Sequence, residues 1–138
     1  MDNLNRARLA TTLVRVSLAV MYLSHSLVLK VGTYGFAGTT QFFVSVGLPA
    51  FLAYVTIAAE AVGGVLMLAN VRTSVVSLAL IPFLVGATFV HAPNGWVFTS
   101  TGGGWEYPLF LIAVSVVLAL LAWPAPRDVP AGKPVVVA

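Results

Sequence analysis

The sequence predicts an all-α membrane protein, a bundle of four transmembrane helices with a short interfacial helix between the first and the second. Its 138 residues are 59% hydrophobic and 8% charged, whereas a soluble domain carries about a quarter charged residues. The apolar residues form four runs of roughly 20 residues, the length that crosses a bilayer as a helix. Such a chain lacks the polar surface of a water-soluble globule, and its length allows one domain.

The first apolar run, residues 9–29, is predicted to be a permanent first helix. It is longer than the apolar core of a signal peptide, Arg15 interrupts it, and no small-x-small cleavage site follows it. Arg15, Tyr22 and Ser26 lie on one polar face at seven- and four-residue spacing, with Lys30 a further turn along. We expect that face to point into the bundle, with His25 rotated away from it.

The next segment, residues 30–48, is the first long connection. Thr39 to Val46 within it is the predicted interfacial helix, with Phe42 and Phe43 dipping towards the membrane. Pro49 favours the first turn of the second transmembrane helix, because a first-turn proline loses no helical hydrogen bond.

The second helix is predicted over residues 49–69, the third over 74–91 and the fourth over 107–123. Ala59 and Gly63 form a small-xxx-small step, which lets a neighbouring helix approach closely. The three remaining apolar runs are therefore expected to pack as a bundle with the first.

Four crossings place both termini on one side of the membrane. That side receives most of the positive charges, and the other side has Lys30. By the positive-inside rule the termini are cytoplasmic and the two long loops face outwards. The membrane domain is predicted to span residues 1–123, followed by a disordered cytoplasmic tail over 124–138. The positive charges of the cytoplasmic side are Arg6, Arg8, Arg72, Arg127 and Lys133, with Arg15 close by.

Two ionisable residues lie at membrane depth, Arg15 in the first helix and Glu60 near the middle of the second. A lone charge at that depth is costly, so such residues usually pair or line a cavity. With a rise of about 1.5 Å per residue, the two backbones lie within about 6 Å in height, which predicts an Arg15–Glu60 ion pair. The pair would act either as a packing staple between two helices or as the polar floor of a cavity.

The stretch from Phe89 to Pro108 concentrates hydrogen-bonding side chains between the third and fourth helices. His91 ends one apolar run and Glu106 begins the next, so both are expected at the outer membrane surface. The tryptophans there are rings of the kind found where hydrocarbon meets water. The candidate ligand-binding residues at this level are His25, Lys30, Asn94, Trp96, Trp105 and Tyr107.

Four interpretations of this outer cluster remain open. A carboxylate–histidine pair of His91 and Glu106 would exchange protons, as quinone chemistry requires. Two histidines and a glutamate would hold a metal, but no HxxxH or HxxE spacing favours one, and we predict no metal site. His25 and His91 would ligate a b-type haem. In the fourth interpretation these groups only cap helix ends and order the loop.

The ordered set of motifs resembles the DoxX family of small four-helix membrane proteins, over roughly residues 10–123. Ser26 stands where that family more often has glycine after the histidine. The absence of cysteine excludes thioether haem attachment, so no covalently bound cofactor is expected. The motifs that carry the resemblance are Arg15, the segment from His25 to Lys30, Phe42-Phe43 followed by Gly47-Leu48-Pro49, Glu60-x-x-Gly63-Gly64, the turn at Arg72, His91-x-x-Asn94-Gly95 and Gly103-Gly104-x-Glu106-Tyr107.

The resemblance implies a four-helix bundle in the bacterial cytoplasmic membrane and a link to redox physiology. Related proteins form the membrane subunit of a thiosulfate:quinone oxidoreductase, and others join membrane complexes that counter oxidative or thiol stress. We therefore expect the lipid bilayer, a soluble or membrane oxidoreductase and further copies of the chain as partners, and no nucleic acid.

Our first hypothesis for this chain is therefore a membrane subunit that binds quinone as its cofactor. His91 and Glu106 would exchange protons with its headgroup, and Trp96 and Trp105 would wall the pocket. The alternative is a non-enzymatic role, as a membrane anchor or assembly factor, or as a protein that binds or transports a small lipophilic molecule.

Overall fold

The computed structural model describes residues 2–123, and every regular element within them is helical. The predicted tail over 124–138 lies outside these described residues. The elements are α1 (Asn3–Leu23), continued by a π-helical segment (Ser24–Thr33), α2 (Gly35–Ser45), α3 (Phe51–Leu68), α4 (Thr73–His91), followed by a 3-10 turn (Ala92–Asn94), and α5 (Glu106–Leu121).

Three helices are long and apolar enough to cross a membrane: Asn3–Thr33, Phe51–Leu68 and Thr73–Asn94. α5 is also apolar but has 16 residues, somewhat fewer than the roughly 20 of a typical spanning helix. The length and composition of these helices identify a multi-pass membrane protein.

The outer faces of the helices are apolar, and several of the most buried side chains are polar. Val65 is 55% exposed and Leu120 is 71% exposed. Ser26, Ser77 and Ser115 are completely buried. This distribution is expected where lipid surrounds the helices, because lipid tails are as apolar as leucine and small polar residues let helices pack closely.

The core lies where α1, α3, α4 and α5 meet, and two glycines of α3 allow the closest approaches. A Cβ atom at Gly63 would lie 2.7 Å from Leu80 Cδ1 on α4, and one at Gly64 would lie 2.7 Å from Leu23 Cγ on α1. α3 is therefore held between its two neighbours by positions that have no room for a side chain. The buried apolar cluster consists of Leu18, Ala19, Tyr22, Met67, Leu80, Leu84, Leu111 and Leu118.

The first helix is longer than its apolar run predicts, since it covers Asn3–Thr33. At its end the backbone N–H of Tyr34 donates to the Leu29 carbonyl, a π-type bond of 2.9 Å. The hydroxyl of Thr39 on α2 donates to the Lys30 carbonyl at 2.8 Å. The connection predicted from residue 30 onwards therefore begins only at Tyr34, and α2 packs directly against the π segment.

Candidate functional site

A cavity of about 440 Å³, here called the central cavity, lies among α1, the π segment and the other four α-helices. Its volume is within the usual range for small-molecule sites. Most of its wall is aliphatic or aromatic and includes Phe42 and Phe43 of α2. The polar side chains in the wall are Tyr22, His25, Lys30, Thr56, Glu60, His91 and Tyr107.

One ion pair lies in the wall of the central cavity. Lys30 Nζ is 2.5 Å from Glu60 Oε2, and the two side chains are 20% and 11% exposed. It is the only ion pair within residues 2–123. Removing two charges from water is costly, and close contact between opposite charges offsets that cost. The cavity therefore contains a polar floor, with Lys30 as its cation.

The predicted Arg15–Glu60 ion pair is wrong. Arg15 Nη1 instead donates to the Met67 carbonyl at 2.5 Å and to the Leu68 carbonyl at 2.9 Å. These carbonyls belong to the last turn of α3, where helical partners are missing. Because Arg15 is level with residue 67, Glu60 lies seven residues nearer the start of α3, roughly 10 Å away in height. An arginine held at the helix end does not reach it.

The π segment explains why both His25 and Lys30 face the central cavity. In an α-helix, residues five apart point to different sides, which is the basis of the prediction that His25 is rotated away from the polar face. A π-helix bonds residues five apart, so His25 and Lys30 lie on the same side. That prediction is therefore wrong, and both residues line the cavity together with Tyr22.

His25, His91 and Tyr107 line the central cavity where it adjoins the loop between α4 and α5, a region here called the mouth. The rings of His25 and Tyr107 stack with centroids 6.0 Å apart and an interplanar angle of 25°. His25 Nδ1 donates to the Met21 carbonyl at 3.0 Å, and His91 Nδ1 donates to the Gly102 carbonyl at 2.9 Å. Since a carbonyl only accepts, each neutral ring carries its proton on Nδ1 and keeps Nε2 as an acceptor.

Two further pockets adjoin this mouth. The loop pocket, of about 460 Å³, lies beneath the connection between α4 and α5. The side pocket, of about 490 Å³, lies beside the first turns of α5. Tyr107 lines both of them and the central cavity, so its ring stands between all three. The loop pocket is lined by His25, His91, Phe98, Gly103, Gly104, Tyr107 and Pro108.

The structure does not bring His91 and Glu106 into contact. Glu106 Oε1 accepts a hydrogen bond of 2.9 Å from the backbone N–H of Phe98 and lines the side pocket. His91 is bonded to Gly102 and lines the central cavity and the loop pocket. Within the described part of the chain, no three metal-ligating side chains lie together. A site of His25, His91 and Glu106 is therefore not assembled there.

The other predicted residues of the stretch order the loop or face outwards. Trp96 and Trp105 meet edge to face, with ring centroids 4.5 Å apart. Trp96 lines the side pocket, and neither indole lines the central cavity. Asn94 Nδ2 donates to the Gly102 carbonyl at 3.1 Å, the same carbonyl that His91 uses. One backbone position of the loop therefore holds two of the predicted site residues.

The glycine triplet explains how the loop closes over the mouth. Gly102 and Gly103 have φ values of +83° and +80°, in the left-handed region that favours glycine. Gly104 is buried, and a Cβ atom there would collide with carbonyl oxygens on the opposite side of the loop. The N–H of Glu106 donates to the Trp96 carbonyl at 3.0 Å. The two sides of the loop therefore touch along their backbones.

Sequence reasoning missed the pairing of Lys30 with Glu60 and the hydroxyl of Thr39 that holds the Lys30 backbone. The sequence contained a signal for the first of these, because Lys30 is the cation of the side predicted to face outwards. A buried carboxylate in the next helix requires a cation from somewhere. The apolar run ends before Lys30, so the sequence predicts Lys30 in a loop, and the apolar run gives no indication that it pairs with Glu60.

Comparison with known proteins adds to this geometry. A model of the DoxX family matches residues 10–93, which include Lys30, Glu60 and His91 and end before Glu106. A Bacillus subtilis (strain 168) protein named "Putative oxidoreductase CatD" is 35% identical over 115 residues, which cover 81% of this chain and 78% of that protein. No solved structure matches the chain significantly.

Proposed function

Since the chain belongs to the DoxX family, as its motifs predict, we propose that it is a membrane subunit of a quinone-linked or redox-protective oxidoreductase complex. The complex would resemble a thiosulfate:quinone oxidoreductase. The observation that carries the proposal is the central cavity, an apolar chamber with one ion pair and two histidines in its wall. The name of the Bacillus subtilis relative, an oxidoreductase, supports a redox role.

The cavity suits a quinone on physical grounds. A quinone has a flat apolar ring that packs against aliphatic and aromatic walls, and carbonyl oxygens that need a few placed donors. A lipophilic ligand reaches such a site from the bilayer without a water channel. Side chains at the mouth then determine how the headgroup enters and turns.

In this proposal His91 exchanges protons at the mouth. Its Nδ1–H is held by the Gly102 carbonyl, so Nε2 is the nitrogen that accepts a proton from a bound hydroxyl. Tyr107 and His25, whose rings stack on each other, line the mouth together with His91. Glu106 contributes indirectly, because its carboxylate holds the loop through Phe98.

The membrane topology belongs to the same proposal. α5 forms a fourth crossing, α2 lies in the outer interface, and both termini are in the cytoplasm of a bacterial cell. Because the chain has no cysteine, single cysteines report each side cleanly. Thr99→Cys in the α4–α5 loop should react with a membrane-impermeant thiol reagent in intact spheroplasts. Val71→Cys in the α3–α4 turn should react only after permeabilisation, and the opposite pattern would invert the topology.

The site is tested by quinone binding to purified protein in detergent micelles. His91→Ala should weaken the binding of a short-chain benzoquinone, because it removes a group of the mouth and one anchor of the loop. Thr101→Ala, an exposed change in the same loop, is the matched control. Binding that is unchanged in His91→Ala would show that the assigned site is wrong.

A non-enzymatic role, as an anchor or a lipophilic-ligand carrier, is the second candidate. The observation that favours it is that His91, Asn94 and Glu106 all bond to the backbone of the loop, so the cluster has a structural use. Affinity purification from native membranes separates the two candidates. Stoichiometric recovery of a sulfur- or quinone-active enzyme supports the subunit role, and recovery of the chain alone, free of quinone, supports the second.

A further inference from the structure

We infer that the Lys30–Glu60 pair is the group in the central cavity that binds the polar oxygen of the ligand, in its carbonyl form and in its hydroxyl form alike. This inference rests on the proposed function, because it names the oxygen-binding residues of the same cavity. It assigns the carboxylate of the site to Glu60 on α3 instead of Glu106, which lines the side pocket.

The first argument is the unused hydrogen-bonding capacity of Lys30. An ammonium group has three N–H donors. One of them is directed at Glu60, and we find no other partner for Lys30 Nζ within residues 2–123. The rest of the cavity wall around it is largely apolar. Donors left without acceptors in such surroundings are costly, so an oxygen placed beside Lys30 is stabilised.

The second argument is that the pair offers both a donor and an acceptor. Glu60 binds Lys30 through Oε2, and Oε1 has no partner within the described residues. A carbonyl oxygen can only accept, so it would bind the Lys30 ammonium. A hydroxyl can donate, so it would bind the Glu60 carboxylate. A ligand that alternates between these two forms finds a charge-assisted partner in either state.

The third argument is the net charge of the cavity floor. Lys30 and Glu60 neutralise each other, so the pair does not select an anion or a cation. It fits a neutral molecule with a polar end, which is what a lipophilic carbonyl compound is. The hydroxyl of Thr56, four residues before Glu60 on the same face of α3, extends the polar floor.

The fourth argument is that the backbone holds Lys30 in position. The hydroxyl of Thr39 donates to the Lys30 carbonyl, and the π segment directs the side chain to the cavity side. Glu60 lies on a regular helix that is packed tightly against both neighbours. A ligand that binds to groups already in place loses less conformational entropy than one that must order them.

The test is a double substitution, Lys30→Met with Glu60→Leu, which removes both charges and keeps similar volume. Replacing a buried ion pair by apolar side chains is often neutral or stabilising, so the variant should melt at or above the temperature of the wild type. Its affinity for a short-chain benzoquinone and for the corresponding quinol should fall by about tenfold or more, as expected for the loss of a charge-assisted hydrogen bond.

A single substitution separates the two halves of the pair. Glu60→Gln keeps the shape and replaces a charged acceptor by a neutral one, so it should weaken quinol binding more than quinone binding. Arg8→Met is the control, because Arg8 is an exposed cation remote from the cavity lining. Affinities are measured by equilibrium dialysis of the full chain in detergent micelles.

The outcomes distinguish this inference from the proposed function. If the wild type binds neither quinone nor quinol, the proposed ligand is wrong and the inference falls with it. If the wild type binds both, and the folded double variant binds them equally well, the inference alone is overturned. A double variant that no longer folds also overturns it, because the pair would then be a structural link between α3 and the π segment.

Discussion

Substitutions of Lys30 and Glu60 should be strongly coupled in their effect on the free energy of unfolding, whereas substitutions of Arg15 and Glu60 should be additive. Lys30 and Glu60 are in direct contact and largely buried. Arg15 shares no partner with Glu60, since it bonds to carbonyls at the end of α3. Two double-mutant cycles, one with Lys30 and one with Arg15, therefore test which of the two cations pairs with Glu60.

The expected magnitudes follow from the contacts. Lys30→Met alone leaves the Glu60 carboxylate without its cation and should cost about 3–5 kcal/mol. The double variant with Glu60→Gln removes both charges, so it should cost less than the sum, with a coupling energy of about 2–3 kcal/mol. Arg15→Met removes two partly exposed hydrogen bonds and should cost about 2 kcal/mol. Its effect should add to that of Glu60→Gln within about 0.5 kcal/mol.

The assay is unfolding of the purified protein in mixed micelles with increasing SDS, followed by the loss of helical circular dichroism. Arg8→Met is the control for removal of a positive charge, because Arg8 is exposed. The reasoning would be refuted by additivity of Lys30→Met and Glu60→Gln. It would equally be refuted by a coupling of about 2 kcal/mol between Arg15 and Glu60.

Three further substitutions test the packing around the site. Gly104→Ala should open the loop over the cavity mouth, at a cost of about 3 kcal/mol, because the new Cβ meets fixed carbonyl oxygens; faster hydrogen exchange of the loop amides would show it. Gly64→Val should push α3 away from Leu23 and lower SDS resistance by about 2–3 kcal/mol, and unchanged resistance would contradict the packing described. Thr39→Val should cost about 1–2 kcal/mol by leaving the Lys30 carbonyl unpaired, whereas Thr39→Ser should restore most of the stability.

The helices could be predicted from the sequence because apolar runs and turn residues bound them. The third run was predicted over 74–91 and α4 covers Thr73–His91; the fourth was predicted over 107–123 and α5 covers Glu106–Leu121. In both cases the run ends where glycine, proline or a charge makes burial in lipid unfavourable. Whether α5 completes a fourth crossing stays a prediction.

The cation of Glu60 could not be predicted, because its identity depends on where the first helix ends. Height estimates assume regular helices and give no information on the direction of a side chain. The sequence predicts Lys30 in a connection, which leaves Arg15 as the cation within the first helix. The π segment has no periodic signature of its own, and it both extends the helix and directs Lys30 towards Glu60.

In the cluster of His91 and Glu106, the two residues lie at similar depth but their side chains point in different directions. His91 and Glu106 were expected at the same level, and each lies at the end of its helix next to the loop. Their side chains nevertheless bond to different parts of that loop, one to Gly102 and the other to Phe98. A sequence shows which residues share a layer of the membrane, but the orientation of each helix about its axis comes from packing.

The π segment also allows the first helix to lose one residue without turning either His25 or Lys30 away from the central cavity. His25 and Lys30 are five residues apart, the repeat that a π-helix brings to one side. Deleting one lipid-facing residue between them, such as Leu27 or Val28, would leave them four apart, the repeat that an ordinary α-helix brings to one side. The segment can therefore shorten by relaxing to α geometry and keep both side chains on the cavity, so related chains that differ here by one residue can hold the same site.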